Sequence, residues 1–185
     1  MHTRPFRRVT LGAVALAAVV TLAGCGTNEP TETATNGTGA ETSAASGAET
    51  PEFTLQTLEG ETFRLADHRG DVVVVEFLAP GCPSCAADLA ALTKAAAEYP
   101  DATMLVADVS GAGPDEVRDF YRGQYDVPPE VVIAPDRDFK VLETFGATAL
   151  GDTVVIAPDG SVSWKGRWAG DESKLFAQID QAAPS

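Results

Sequence analysis

Val72-Val73-Val74-Val75-Glu76-Phe77-Leu78-Ala79-Pro80-Gly81-Cys82-Pro83-Ser84-Cys85 is the stretch on which the fold of this chain turns. The run from Val72 to Leu78, apolar but for Glu76, has the length and β-branched content of a central strand buried on both faces. Pro80, Gly81 and Pro83 end it, and Leu89, Leu92, Ala96 and Tyr99 then recur at helical spacing until Pro100. Two cysteines therefore stand where a buried strand gives way to a helix. A thiol at a helix N-terminus meets the positive end of the macrodipole, which favours thiolate. The i, i+3 spacing puts the second sulfur one turn along the same face, within reach of a disulfide. Pro83 in the first turn sacrifices no hydrogen bond. By position Cys82 reads as the exposed attacking thiolate and Cys85 as the shielded resolving thiol. Zinc would need four ligands, and the domain adds only His68 to the two cysteines, so no metal centre is expected. Two other roles stay open: two thiolates holding copper(I), and a passive structural disulfide.

Working outward, Phe53-Thr54-Leu55 and Thr62-Phe63-Arg64-Leu65 alternate in polarity around Glu59-Gly60, as a hairpin does. Thr103 to Val109 reads as a second buried strand. Pro114 to Tyr125 reads as a helix with Val117, Phe120 and Tyr121 on its apolar face. Val131-Val132-Ile133 is a short strand, and a helix over Asp138 to Phe145 closes at Gly146. Thr153 to Ala157 and Ser161 to Lys165 flank the turn Pro158-Asp159-Gly160 as a second hairpin, with Trp164 and Val162 on one strand face. Gly170-Asp171 opens a last amphipathic helix carrying Leu175, Phe176 and Ile179. This order predicts an α/β fold, a central mixed β-sheet flanked by helices on both faces.

Phe53-Thr54-Leu55 through Asp67-His68-Arg69-Gly70, the valine run, the C-x-x-C and the Asp159-Gly160 hairpin together resemble the TlpA/ResA-type thioredoxin-like family. The resemblance covers roughly Pro51 to Ala182, and the helix at Pro114 to Tyr125 with Val127-Pro128 is similar to the family's inserted element. It implies a thioredoxin-like fold and thiol–disulfide exchange outside the cytoplasm, with protein thiols and disulfides and an upstream membrane electron donor as partners. The redox-active pair would be Cys82 and Cys85, with no other cofactor. Gly81, Pro83, Ser84, Gly151 and Asp152 would line the substrate groove. Two positions depart from the family pattern. Gly81 stands where a bulky residue usually precedes the first cysteine. The family's cis-proline position falls at or near Gly151, within Ala149-Leu150-Gly151-Asp152. A peroxidase is disfavoured, because Val75 and Ala79 occupy the proline and threonine positions of the Pro-x-x-x-Thr-x-x-Cys pattern.

A carboxylate amid valines is costly to bury without a use or a partner. In thioredoxin an acid at the position matching Glu76 assists proton transfer at the resolving cysteine. That resemblance implies the same role for Glu76 towards Cys85, with a pKa raised by desolvation. The alternatives are a solvent-facing strand edge or pairing with Lys94 or Arg69. His68 reads as a solvated turn residue, and Asp115, Glu116, Arg118 and Asp119 as a solvated helix face. Trp168 covers either the second hairpin or the groove.

The N-terminal end has a different character. Arg4, Arg7 and Arg8 precede an apolar run of 15 residues from Val9 to Ala23. At 1.5 Å per residue such a helix reaches roughly 22 Å, short of a ~30 Å hydrocarbon core, which suits a signal peptide over residues 1–24. Leu22-Ala23-Gly24-Cys25 resembles a bacterial lipobox, which implies lipid on Cys25 and an extracytoplasmic protein held to the membrane. Ordinary secretion with cleavage nearby is the alternative. Residues 26–50, rich in Thr, Ala, Gly, Ser and Glu, read as a disordered tether, leaving residues 51–185 as one thioredoxin-like domain. The 185 residues carry 27 acidic and 13 basic side chains, a formal charge of −14. Loss of residues 1–24 would leave 10 basic residues and a charge of −17. Such a balance excludes nucleic-acid binding, which needs a clustered basic surface. A monomer is expected.

Overall fold

A computed structural model describes residues 50–183. The segments read as signal peptide, lipidated Cys25 and tether up to residue 49 lie outside the described residues. Thr50, placed in the tether by its composition, already belongs to the domain: it is buried and donates its N–H to Gly160 O at 3.0 Å.

Five strands form one sheet. β3 (Val73–Leu78) lies at its centre, parallel to β4 (Thr103–Asp108), which is parallel to β5 (Val131–Pro135). On its other side β3 runs antiparallel to β6 (Thr153–Ile156), which pairs antiparallel with β7 (Val162–Gly166). β1 (Thr54–Gln56) and β2 (Thr62–Arg64) make a separate antiparallel hairpin. The expected α/β architecture is thus present, with mixed strand directions.

Alternation along β3 divides the core. Val74 and Leu78 point to one face, where α1 (Cys85–Glu98), α4 (Glu172–Ala182) and the segment carrying Val117 and Tyr121 cover them. Val73, Val75 and Phe77 point to the other, against Phe63 and Leu65 and against Val141 of α3 (Lys140–Thr144). Every residue of β3 is buried, as its run of valines requires of a strand packed on both faces.

The elements start and stop for local reasons. Asp171 caps α4 by accepting the Lys174 N–H, and Leu175 and Ile179 on its inner face are fully buried. α3 begins two residues later than the sequence suggests, because Phe139 turns into the left-handed region at φ 56°. Buried Asp136 receives the Leu142 N–H at 2.9 Å and so fixes that turn. The helix expected over Pro114 to Tyr125 is α-helical only as α2 (Pro114–Arg118). From Asp119 to Gln124 it widens into a π-helix. The wider turn accompanies two side-chain requirements: the buried Tyr121 hydroxyl donates to Asp108 Oδ2 at 2.8 Å, and the Phe120 and Tyr125 rings meet at 4.9 Å.

Three side chains differ from the sequence reading. Trp164 and Val162 do not share a face, because a bulge between the pairs Val155–Trp164 and Ile156–Val162 reverses the alternation. Trp164 packs on the α1 side and Val162 on the α3 side. His68 is no solvated turn residue: its ring stacks on Phe63 at 4.5 Å and its Nδ1 lies 3.0 Å from Thr103 Oγ1. Arg118 reaches from its helix face to the Leu58 carbonyl.

The Tyr121–Asp108 bond ties the inserted segment to the sheet, and burial followed by Asp108 pushes the Tyr121 pKa far up, keeping the hydroxyl a donor. Removing that hydroxyl in Y121F leaves a buried carboxyl short of a donor. Urea unfolding is expected to show a loss of about 1–3 kcal/mol.

Candidate redox site

The site forms where β3 ends. Ala79 to Ser84 carry the chain from the sheet edge to α1, with Gly81 at φ 83°, a left-handed conformation open to glycine without strain. Cys82 and Cys85 are joined in a disulfide with their Cα atoms 5.4 Å apart. Pro83 and Ser84 make the turn ahead of α1, which begins at Cys85 itself. The exposure expected of Cys82 is scaled down: it is 9% exposed and Cys85 0%. Cys82 is still the more accessible sulfur. Its Sγ lies 3.5 Å from Ser84 Oγ, whose hydroxyl can donate to it, whereas Cys85 Sγ faces the Ala79 carbonyl at 3.6 Å. A thiol at Cys85 could donate to that carbonyl, which favours its protonated form.

Glu76 lies on the same face of the sheet as the disulfide. Its position between Val74 and Leu78 turns it to the α1 face, where Cys82 and Cys85 join the same core, and it is 0% exposed. In the sheet it sits opposite Val106 of β4 and Thr153 of β6. Neither of its carboxyl oxygens has a hydrogen-bond partner. The solvent-facing and ion-paired alternatives are excluded, since Lys94 pairs with Glu172 and Arg69 with Glu52. Burial, and after it the charge of Asp88, hold the Glu76 pKa well above the ordinary 4.5.

Asp88 is the residue the sequence reading missed. It occupies the first turn of α1, is 1% exposed, and leaves Oδ1 without a hydrogen bond. Burial raises its pKa, while Ser84 and the Gly170 amide draw it partly back. Its signal was available: Asp88 follows Cys85 by three residues, so it shares a helix face with the sulfur.

The loop from Ala149 to Asp152, close to Asp88, has its own bracing. Gly151, at φ 82°, donates its N–H to Phe77 O at 2.8 Å, and a Cβ there would lie 3.7 Å from Asp88 Oδ2. No cis peptide bond occurs among the described residues. Asp152 Oδ2 accepts the N–H groups of Thr148 and Ala149 at 2.7 and 3.0 Å, and Oδ1 accepts from Arg167 at 2.6 Å. Burial would raise the Asp152 pKa, but the Arg167 bond and the two amides outweigh it and hold the pKa low. The Asp152 carboxyl is thus turned into its own loop. Trp168 covers the core beside the groove: it is fully buried and its Nε1–H donates to Thr153 Oγ1 at 2.9 Å.

Strand, C-x-x-C turn and helix in this arrangement define a thioredoxin-like fold carrying a disulfide at the end of its central strand. Residues 46–165 match the AhpC/TSA family, and the chain belongs to that family. Thiol-disulfide oxidoreductase ResA of Halalkalibacterium halodurans is 25% identical over 119 residues, covering 64% of this chain and 66% of that protein, just under two thirds. Among solved structures, Mycobacterium tuberculosis DsbF is 26% identical with a TM-score of 0.61, over 69% of this chain and 92% of its own. A Chlorobium tepidum protein reported as thiol:disulfide interchange protein DsbE shares the fold, with a TM-score of 0.66 at 23% identity over 75% and 97% of the two chains. The family and fold expected from the motifs are borne out, and the relatives' names agree with the expected class of redox enzyme.

The raised Glu76 pKa has a thermodynamic sign. The folded state holds this proton more tightly than the unfolded chain, so its contribution is full below the ordinary 4.5 and is lost as pH rises through the folded value. E76L removes the orphaned carboxyl. It is expected to be more stable than the parent by about 1–3 kcal/mol in urea at neutral pH, and to lose the parent's decline in stability above pH ~4.5.

Proposed function

We propose that this chain is an extracytoplasmic thiol–disulfide oxidoreductase, anchored by lipid on Cys25, that exchanges electrons with protein thiols and disulfides through Cys82 and Cys85. The observation that carries this reading is a disulfide at the end of a buried strand with one sulfur partly accessible, the other enclosed, and an unpartnered carboxyl on the same core face. A passive cross-link needs no acid beneath it. Gly81, Pro83, Ser84 and Gly151 leave the approach to Cys82 free of large side chains, and Asp152 fixes the facing loop.

In the reducing direction the Cys82 thiolate attacks one sulfur of a partner disulfide. The partner's other sulfur leaves as thiolate and a mixed disulfide forms. Cys85 then gives up its proton and attacks the Cys82 sulfur, which restores the internal disulfide and releases the second partner sulfur as thiolate. Two electrons pass to the partner. The oxidising direction is the reverse, with Cys85 leaving as thiolate and taking up a proton. Glu76 is the group that carries this proton at Cys85.

In the full-length chain, Cys85→Ser is expected to accumulate a mixed disulfide between Cys82 and a partner, and Cys82→Ser to abolish exchange. Equilibration of the parent in graded thiol–disulfide buffers is expected to give a potential between about −270 and −120 mV. A value below about −300 mV, with sulfurs that resist alkylation, identifies a structural bridge instead. Tight retention of copper(I) without any trapped mixed disulfide would favour a metal-holding role.

A further inference from the structure

Glu76 and Asp88 come from different elements, a central strand and the first turn of α1, yet both are buried on the core face that holds the disulfide. Three of their four oxygens accept no hydrogen bond: both of Glu76 and Oδ1 of Asp88. The groups packed around Glu76 offer no compensating charge. From α1 the charged group it feels is Asp88, and Cys85 belongs to the core on the same face. From β4 its neighbour is Val106, with Asp108 two residues on and engaged by Tyr121. From the π-helix comes the Tyr121 hydroxyl, already committed to Asp108, and from β6 comes Thr153, committed to Trp168. The α4 residues facing this core, Leu175 and Ile179, are apolar. No basic side chain is among the groups that set the charge of either carboxyl.

Two acids so placed cannot both ionise cheaply, because like charges in a water-poor core repel strongly. One of the two is therefore expected to keep its proton. The two sites differ in depth. Glu76 is enclosed by the sheet and α1, while Asp88, itself buried, lies against exposed Ser84 and half-buried Gly170. A protonated Glu76 has no room for a proton from Cys85 unless it passes its own onward.

Resting on the proposed role of Glu76, we propose that Asp88 acts through Glu76 as the outer half of a two-carboxyl proton relay. Ionised Asp88 supplies the vacancy that lets a protonated Glu76 serve Cys85. When Cys85 resolves a mixed disulfide, its thiol proton moves by way of a bridging water to one oxygen of Glu76, while the proton on the other oxygen moves to Asp88 in the same way, since neither Glu76 oxygen is hydrogen-bonded directly to another group. Asp88 then releases that proton to water beside Ser84. When Cys85 leaves as a thiolate in the opposite direction, Glu76 gives it a proton and Asp88 refills Glu76 from water. In each direction one proton crosses for each sulfur–sulfur bond made or broken at Cys85, so charge balances. Asp88 is a positioning and carrier residue and does not touch the sulfur's partner.

The relay and Glu76 acting alone predict opposite effects of D88N. Removing the Asp88 charge lowers the Glu76 pKa, so a lone Glu76 would be more ionised at neutral pH and a better base. The relay without its outer member stalls. The full-length chain, with Cys25→Ser to silence the third thiol, is reduced and mixed with 5,5′-dithiobis(2-nitrobenzoate) from pH 5 to 9. The second thiolate released reports the attack by Cys85. General acid–base assistance is worth roughly 10²–10⁴-fold, so D88N is expected to slow this second release at least tenfold at pH 7. E76Q is expected to do the same, with E76Q/D88N no slower than the slower single variant. D88E, which keeps the carboxyl, is expected to recover most of the rate. Carboxyl ¹³C shifts are expected to show Glu76 titrating at lower pH in D88N than in the parent. A D88N rate equal to or above the parent's overturns the relay and leaves Glu76 acting alone. A D88E protein as slow as D88N, or a Glu76 titration that D88N does not move, also overturns it. Parent rates in E76Q overturn the role of Glu76 itself.

Discussion

A carboxyl group moved from water into an apolar core loses its hydration, and unless something in the core replaces that hydration the fold must bear the cost. Glu76 is in that position, and the rest of the domain is built so that it stays there. Its strand is central, so hydrogen bonds to β4 and β6 fix its backbone on both sides. Its neighbours along the strand are apolar on both faces, so a shift of register by one residue would turn Val73, Val75 and Phe77 out of their own core as it turned Glu76 out of this one. The segment that follows carries the disulfide into the cover over the same face. Packing thus determines the acid's address, on the core face that also holds the disulfide.

The far side of the groove is held by polar contacts. Asp152 gathers two amides and Arg167, Gly151 reaches Phe77 O, and Trp168 reaches Thr153 beside Glu76 in the sheet. Gly170 comes close to α1, where a Cβ would fall 2.9 Å from that of Ala87. These contacts join the β6 and β7 ends to the first turn of α1 without placing a bulky side chain over Cys82. Rigidity around the acids is therefore supplied by atoms other than those of the C-x-x-C turn.

Most of this architecture was legible in the chain. The valine run could be read as a central strand because period-free apolar character over seven residues leaves few other uses for it, and the cysteines stood at its end. Glu76 could be singled out for its cost alone. The i+3 spacing put Asp88 on the helix face of Cys85, but its burial was not legible, because an acid in the first turn of a helix is ordinary on a helix surface, and only the tertiary cover of the Gly151 and Gly170 loops makes it a buried one. The π-helix after Arg118 was equally hidden, since a 3.6-residue pattern in Val117 and Tyr121 fits either winding until Asp108 and the aromatic contacts are in place. The reversal of Trp164 depends on a single bulge, which strand alternation cannot reveal. Asp152 was read as lining the groove, and its charge instead faces inward, a choice set by two amides that only the folded loop presents.

Gly151 has a consequence for how such a chain can change over generations. Proline has no amide hydrogen and holds φ near −65°, whereas this position donates to Phe77 O and sits at φ 82°. A single substitution to the proline used by similar proteins would break the bond and oppose the backbone turn together. Asp152, Thr148, Ala149 and Arg167 brace the loop in this glycine form, so a change at Gly151 alone disturbs contacts that four other residues make, and a different loop asks for several substitutions at once.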